Sequence, residues 1–454
     1  MAIFRSILAV RAFCKRRARH TLDRMFGFKK LYFAPASPEA TTGRSKATTG
    51  RRIYLDHASA TPVLPAAADV VYQTMKTFAN PGGIHADSVA AKQSLESSRG
   101  RIAAHLGCKA REIIFTSGLT EANNIAIVGY ARHLLYIPRT VLGKTEGPSL
   151  VGTHWIVSSI EHSSVLECFS EAERMGGTVT HIDPEPNGLI ASETIANALR
   201  PETAFVSLGW GNNEIGTIQP LSQIARIIRD HEKKHRTKII FHSDAGQAPL
   251  YRSPHVHTLG VDVFSLGSGK LYGPRGIGAL FVSNRVTLAP VIFGGGQERG
   301  LRSGTEDVAL AAGFVAALDI VAGERGAESR RLEKLRDEFA ERIVVRLRQG
   351  FGGQAHIPDA IINGDLKHAL PHMLNISISG ERSGEYLALQ LDHAGISLST
   401  KSACDEGNKS SHVVAALGGE AWRAQNTLRF SLGRDTTEGD LKRALDALAA
   451  LIRA

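Results

Sequence analysis

Lys270 stands in the run Ser265-Leu266-Gly267-Ser268-Gly269-Lys270-Leu271-Tyr272-Gly273-Pro274. The apolar stretch before it (Val261, Val263, Phe264, Leu266) reads as a buried strand. A lysine ending such a strand sits in a partly dry place, where its pKa falls and its amine can form an imine with an aldehyde. Four other apolar runs end in residues of chemical use. Glu112–Ser117 leads into Thr116-Ser117-Gly118-Leu119-Thr120-Glu121, where a glycine and hydroxyls at a helix start suit a phosphate or a simple N-cap. His154–Ile160 leads to Glu161-His162-Ser163-Ser164; His162 can stack on a ring or move protons, although a lone histidine is more often structural. Thr203–Trp210 leads to Asn212-Asn213-Glu214-Ile215-Gly216, whose amides can hold a hydroxyl oxygen or build a turn. Lys238–Ala245 leads to Asp244-Ala245-Gly246-Gln247. An acid there needs a cationic partner, such as a protonated pyridine nitrogen.

Each signal is weak singly. Together they supply what pyridoxal phosphate requires: a phosphate cradle, a ring-face group, a donor to the phenolic oxygen, an acid for the ring nitrogen and a Schiff-base lysine. A nucleotide P-loop over Gly267–Lys270 fails, because Phe264 stands where the first glycine is needed and Leu271 where Ser or Thr is needed.

The elements that must position these residues alternate. A sixth apolar run, Ile277–Ser283, follows Lys270, and helical patterns separate most of the runs. Pro220–Arg236 starts with Pro, carries apolar residues at helical spacing and ends basic. The pattern predicts a mainly parallel sheet covered on both faces, with the ligand beyond the carboxyl ends of its strands. The last two runs are too close for a helical crossover, so one strand is expected to be antiparallel. After Thr305 the texture changes. Glu306–Gln349 is helical in pattern, Met373–Ser379 and Thr427–Leu432 are short apolar runs, and an amphipathic helix starts at Thr437. A second, smaller α+β domain is expected there.

The 454 residues carry a net charge of +10, but the charge is local. Residues 1–52 hold 13 Lys/Arg against Asp23 and Glu39, and the remaining 402 residues carry 41 basic and 42 acidic groups. Nothing in the neutral body predicts a nucleic-acid groove. The basic segment Met1–Lys30 reads as an amphipathic helix, a surface anchor, a transit-like segment or an extension without a role, and residues 40–51 repeat Ala-Thr-Thr-Gly-Arg as a linker. Cys14, Cys108, Cys168 and Cys404 form no Cys-x-x-Cys zinc or redox motif, so no metal is expected and any special cysteine acts singly.

From Ile53 to Arg434 the chain resembles the class V aminotransferase family, and within it the group I cysteine desulfurases. The motifs are Tyr54-Leu55-Asp56-His57-Ala58, the Thr116–Glu121 and Glu161-His162 segments, Asn212–Gly216, Asp244–Gln247, Gly294-Gly295-Gly296-Gln297-Glu298-Arg299-Gly300-Leu301-Arg302-Ser303-Gly304-Thr305, Ser402-Ala403-Cys404 and Leu428–Gly433. The resemblance implies an α/β fold-type I transferase with a mainly parallel seven-stranded sheet. The large domain would span 67–309, and the small domain 53–66 and 310–454, behind a flexible basic extension over 1–52. It implies that Lys270 carries the cofactor, His162 stacks on the ring and moves protons, and Asp244 pairs with the ring nitrogen. Asn213 and Gln247 would reach the phenolic oxygen. Thr120, with the amides around Leu119, would bind the phosphate, completed by Thr305 of a second subunit in a homodimer. Arg429, helped by Asn375, would grip the substrate carboxylate.

The chain departs from the family at the lysine. A hydroxyl residue three before it and a histidine immediately before it are usual; here they are Gly267 and Gly269, with Ser268 as a substitute ligand. The glycines are expected to let backbone amides approach the phosphate. Cys404 lies among small and polar residues, with Lys401 and Lys409 nearby to favour a thiolate. The resemblance therefore implies transfer of sulfur from L-cysteine to Cys404, release of L-alanine, and passage of the persulfide to an iron–sulfur scaffold or tRNA-thiolation protein. The rival readings are another class V enzyme (a transaminase or selenocysteine lyase) or a non-catalytic sulfur-transfer scaffold. A cytoplasmic location is expected, or an organelle if the basic segment is a transit peptide.

Overall fold

Seven strands form the central sheet of the computed structural model. They are β1 (Ile113–Thr116), β2 (His154–Ser158), β3 (Thr178–Ile182), β4 (Thr203–Ser207), β5 (Ile240–Asp244), β6 (Val263–Gly267) and β7 (Gly278–Val282), in the order β1-β7-β6-β5-β4-β2-β3. The structure describes residues 51–136, 149–346, 360–402 and 410–453, with the backbone of 139–141, 144–146 and 347–349. The extension up to residue 50, Cys14, Cys404 and Lys409 lie outside the described residues.

From β3 through β6 every neighbouring pair is parallel, and β7 runs antiparallel to both β6 and β1. The six apolar runs all fall on strands. The seventh strand, β3, escaped the apolar criterion for a physical reason. It is an edge strand, Thr-Val-Thr-His-Ile, and only Ile182 is buried.

Alternate strand residues face opposite layers. Ile114, Trp155, Val157, Phe205, Ile240, Val263 and Leu280 pack with residues of α3 (Leu119–Leu135) and α4 (Ser163–Arg174). Ile156, Val206, Phe241, Phe264 and Phe281 pack with residues of α2 (Ala86–Leu106) and α5 (Leu221–His235). Burial on both faces is why these strands read as continuous apolar runs. Helix α5 shows the sequence logic directly: Pro220 precedes it, Leu221, Ile224, Ala225 and Ile228 are buried, and Lys233, Lys234 and His235 close it.

Two histidines lie inside the sheet and link three strands each. His242 sits between Ser207 Oγ (2.8 Å) and Ser265 Oγ (3.0 Å), and burial pushes its pKa down to about 3. His154 sits between Thr203 Oγ1 and Thr180 Oγ1, both at 2.8 Å, and burial first holds it to about 4. Both stay neutral at pH 7 and satisfy buried hydroxyls.

The smaller sheet contains β8 (Ala360–Ile362), β9 (Met373–Ile378) and β10 (Thr427–Ser431), all antiparallel. Near it lie α6 (Val308–Gln349), α7 (Gly384–His393) and α8 (Glu438–Arg453). Residues 53–61 run between the sheets. Ile53 pairs with Ile396, Asp56 bridges Ser431, and Thr61 N donates to Gly269 O at 3.2 Å.

The Gly294–Thr305 segment is fastened to the core by a buried fork-to-fork ion pair. Arg99 Nη1 and Nη2 each lie 2.7 Å from a Glu298 oxygen, and Phe115 N donates to Glu298 at 2.7 Å. Glu298 and Arg299 hold left-handed conformations (φ 46° and 60°), unfavourable for side chains other than glycine. The pair offsets that cost. Arg99→Leu, which strands the buried carboxylate, is expected to destabilise the protein by about 3–5 kcal/mol, seen as a lower urea midpoint at unchanged m-value.

Candidate active site

The strand ends and the start of α3 open on one cavity of about 250 Å³. Leu119, Thr120, His162, Asn213, Asp244, Gln247 and Lys270 all line it. Ser268, Thr305, Arg429 and Asn375 are not among its lining residues.

Lys270 ends the single turn after β6, and its Nζ donates to Ala58 O (2.6 Å) and Ser59 O (3.0 Å). Gln247 Nε2 donates to the same Ala58 O at 2.8 Å, while its buried Oε1 has no partner. Asp244 is held on both oxygens. Oδ1 accepts from Gly246 N (2.9 Å), and Oδ2 accepts from Asn123 Nδ2 (2.7 Å). Asn123, fully buried on α3, also donates to Ser164 Oγ at 2.9 Å. Sequence reasoning passed over Asn123; the available signal was a polar residue among the apolar positions of that helix.

His162 caps α4, its Nδ1 accepting from Ser164 N at 3.1 Å. Burial holds its pKa below the usual imidazole range, against the pull of Asp244. Its neighbour Glu161 lines the cavity and accepts from Gly209 N at 2.8 Å. Burial, reinforced by the charge of Asp244, raises the Glu161 carboxyl to about 8.

The glycines before Lys270 have distinct surroundings. A Cβ on Gly267 would lie 3.1 Å from Leu119 Cβ and 3.5 Å from Leu119 N, and one on Gly246 would meet Leu119 Cδ2 at 2.6 Å. Both glycines therefore leave the start of α3 uncovered. That start has no side-chain cap, so its first-turn amides are open to an anion. At Gly269 a Cβ would meet the Arg275 stem at 3.3 Å. Ser268 is not among the residues lining the cavity. It is fully buried, its Oγ has no partner, and that Oγ would be 2.2 Å from a Cβ on Gly273. The open amides and the unpartnered Gln247 Oε1 fit a polar ring ligand that carries a phosphate.

Arg429 is buried on β10. Nη2 binds Asp56 Oδ1 (2.8 Å) and Ser59 Oγ (2.6 Å), Nη1 binds Asn213 O (2.9 Å), and Nε is buried without a partner. Asn375, opposite Arg429 on β9, uses its amide internally. It donates to Glu214 O (3.2 Å) and accepts from Asn363 (2.8 Å) and Thr427 (2.6 Å). Thr305 is exposed. Lys401 pairs with Glu385 at 3.3 Å. Burial drives the Cys108 and Cys168 thiols up to about 12, so neither is a thiolate at neutral pH.

Residues 53–444 match the aminotransferase class-V family. The chain belongs to that family. Its members depend on pyridoxal phosphate, and Lys270, Asp244 and the open start of α3 suit that cofactor. Among curated relatives, the chain is 36% identical over 408 residues to cysteine desulfurase IscS of Dictyoglomus turgidum, covering 88% of this chain and 95% of that one. It is 35% identical over 401 residues to cysteine desulfurase IscS 1 of Archaeoglobus fulgidus, covering 88% and 96%. Among solved structures it resembles a NifS-like protein (TM-score 0.77, 28% identity, 88% of this chain and 99% of that one). It also resembles SspA in complex with cysteine (TM-score 0.68, 31% identity, 84% and 98%). The fold is that of the fold-type I enzymes of this family.

The Glu161 carboxyl gives this class V site a pH signature. Its folded pKa lies above its ordinary value, so between about 4.5 and 8 the folded state binds more protons than the unfolded one, and stability falls as pH rises. Glu161→Gln keeps an acceptor for Gly209 N and removes the titration. The variant should gain thermal stability relative to the parent at pH 8.5 and show a smaller difference at pH 5, read by thermal melts across that range.

Proposed function

We propose that the chain is a cysteine desulfurase that takes sulfur from L-cysteine, releases L-alanine and leaves a persulfide on Cys404. The observation that carries this is the convergence of Lys270, Asp244, His162 and the open start of α3 on one cavity, beside a buried arginine with a donor to spare. Pyridoxal phosphate, when bound, supplies an electron sink for the substrate α-carbon. The protein's own groups do the rest. Asp244, fixed by Asn123 and Gly246, balances a protonated ring nitrogen. The amides at the start of α3 hold a phosphate, which is why Gly267 serves where a hydroxyl is usual. Arg429, whose Nε has no partner in the protein, grips the substrate carboxylate. Lys270 Nζ would take the substrate α-proton, and neutral His162, lining the same cavity, would exchange protons there. The Cys404 thiolate forms the new S–S bond as the substrate C–S bond breaks, and the carbon keeps the electron pair, gains a proton and leaves as alanine. The persulfide then passes to an acceptor protein, an iron–sulfur scaffold or a tRNA-thiolation protein.

The test is a joint assay of alanine and sulfide from L-cysteine with a reductant. Equal yields, lost in both Cys404→Ala and Lys270→Ala, are expected. Alanine formation that survives Cys404→Ala would favour a transaminase or lyase, and none at all from the cofactor-loaded protein would favour a scaffold.

The finer reading is a homodimer with shared sites. Thr305 is exposed and stands outside its own cavity's lining, while Tyr72, Met75, Phe78 and Ile84 leave apolar surface exposed after α1 (Pro65–Thr74) begins. If Thr305 completes the phosphate site of a second copy, inactive Thr305→Arg and inactive Lys270→Ala proteins should regain activity when refolded together. Separate sites would give no recovery.

A further inference from the structure

Glu214 has no part in the chemistry described above, yet it is fully buried and forms no ion pair among the described residues. A buried carboxylate without a cation is costly and needs its hydrogen bonds. Its two oxygens serve two distant points of the chain. Oε1 accepts from Ser402 N at 2.8 Å, and Oε2 accepts from Ser411 Oγ at 2.5 Å. Ser402 and Ser411 are the flanks of the segment that carries Cys404.

The flanks are built around this carboxylate. On the incoming side, Ser399 exchanges backbone hydrogen bonds with Arg429, 2.6 Å and 3.3 Å. On the outgoing side, Ser411 Oγ accepts from Val414 N (3.0 Å) to cap the next turn, so its proton is free to go to Glu214. His412 Nε2 then lies 3.1 Å from Glu161 O. Glu214 itself follows the cavity-lining Asn213. Its amide is held by Asn212 Oδ1 (2.8 Å) and its carbonyl by Asn375 Nδ2 (3.2 Å). This gives the Asn375 amide its purpose: it braces the turn that presents Glu214. Cys404 is two residues from Ser402, and two residues of chain reach at most about 7 Å. The Ser402 contact therefore fixes the origin from which the thiol can reach.

We infer that Glu214 is a positioning residue for sulfur transfer: one carboxylate fastens both flanks of the Cys404 segment to the cavity wall. The inference rests on Cys404 being the sulfur acceptor. It uses both oxygens, so an amide cannot replace the carboxylate without leaving one donor unmatched.

The experiment uses the full chain loaded with pyridoxal phosphate, in the parent, Glu214→Gln, Ser411→Ala and the double variant. Alanine formation from L-cysteine should fall roughly tenfold in each single variant through kcat, with KM and the shape of the pH profile kept. The double variant should lose little more than the singles, since both cut one connection. Trypsin cleavage after Lys401 and Lys409 should speed several-fold in all three variants, with or without cofactor. Unchanged cleavage, or losses that multiply in the double variant, would overturn the inference. So would a shifted pH profile, which would mark Glu214 as an electrostatic partner of His162. If Glu214→Gln does not fold, Ser411→Ala carries both readouts. Cys404→Ala separates the two failures. Alanine formation that survives it overturns the role of Cys404, while the cleavage readout still judges the clamp.

Discussion

The common direction of the central strands governs the rest of the molecule. Strands β2, β4, β5 and β6 run the same way, so Glu161, Asn213, Asp244 and Lys270 follow their carboxyl ends on one edge of the sheet. An antiparallel sheet would have scattered them between two edges. Parallel strands need covering on both faces, which brings α3 and α4 alongside and sets their N-termini at that same edge. The open first turn of α3 and the histidine cap of α4 are consequences of this geometry. The one reversal, β7, follows Lys270 directly, because the short Tyr-Gly-Pro connection leaves no length for a helix.

A second constraint closes the cavity from the other side. Ala58 O accepts from both Lys270 Nζ and Gln247 Nε2, and Asp56 and Ser59 occupy Arg429 Nη2. Three residues of one crossing segment, Asp56, Ala58 and Ser59, thus touch the amine, the amide and the guanidinium that the proposed chemistry uses. The same segment is pinned to the small sheet at Ser431 and to the turn after β6 at Gly269. Arg429 is thereby aligned by carbonyl and carboxylate oxygens before any substrate arrives, which lowers the cost of ordering it on binding.

Much of this was legible in the sequence because both signals are local. Apolar runs of strand length mark the buried strands, and the polar residues behind them mark the site. Edge strand β3 was missed because one exposed flank removes the apolar signal. The residues that orient others were also missed. Asn123 fixes Asp244 from 121 positions away, and Glu214 meets Ser411 from 197. No periodicity records such pairings; they exist only once the chain is folded. The orientation of Ser268 was likewise not legible. Spacing put it beside the lysine, but the turn at Ser268–Lys270 directs its hydroxyl toward Gly273.

Gly267, one of the two glycines that break the family pattern, follows from packing as much as from ligand chemistry. At Gly267 the start of α3 comes so close that even a Cβ sits in a tight contact with Leu119. A serine there would have to displace the helix start or turn its hydroxyl across the amides. Bare backbone lets the helix come forward and present those amides itself, with the favourable end of the helix dipole behind them. Gly246 makes the same allowance on the neighbouring strand, against Leu119 Cδ2. The amides left open to an anion are thus backbone groups that the fold has already fixed.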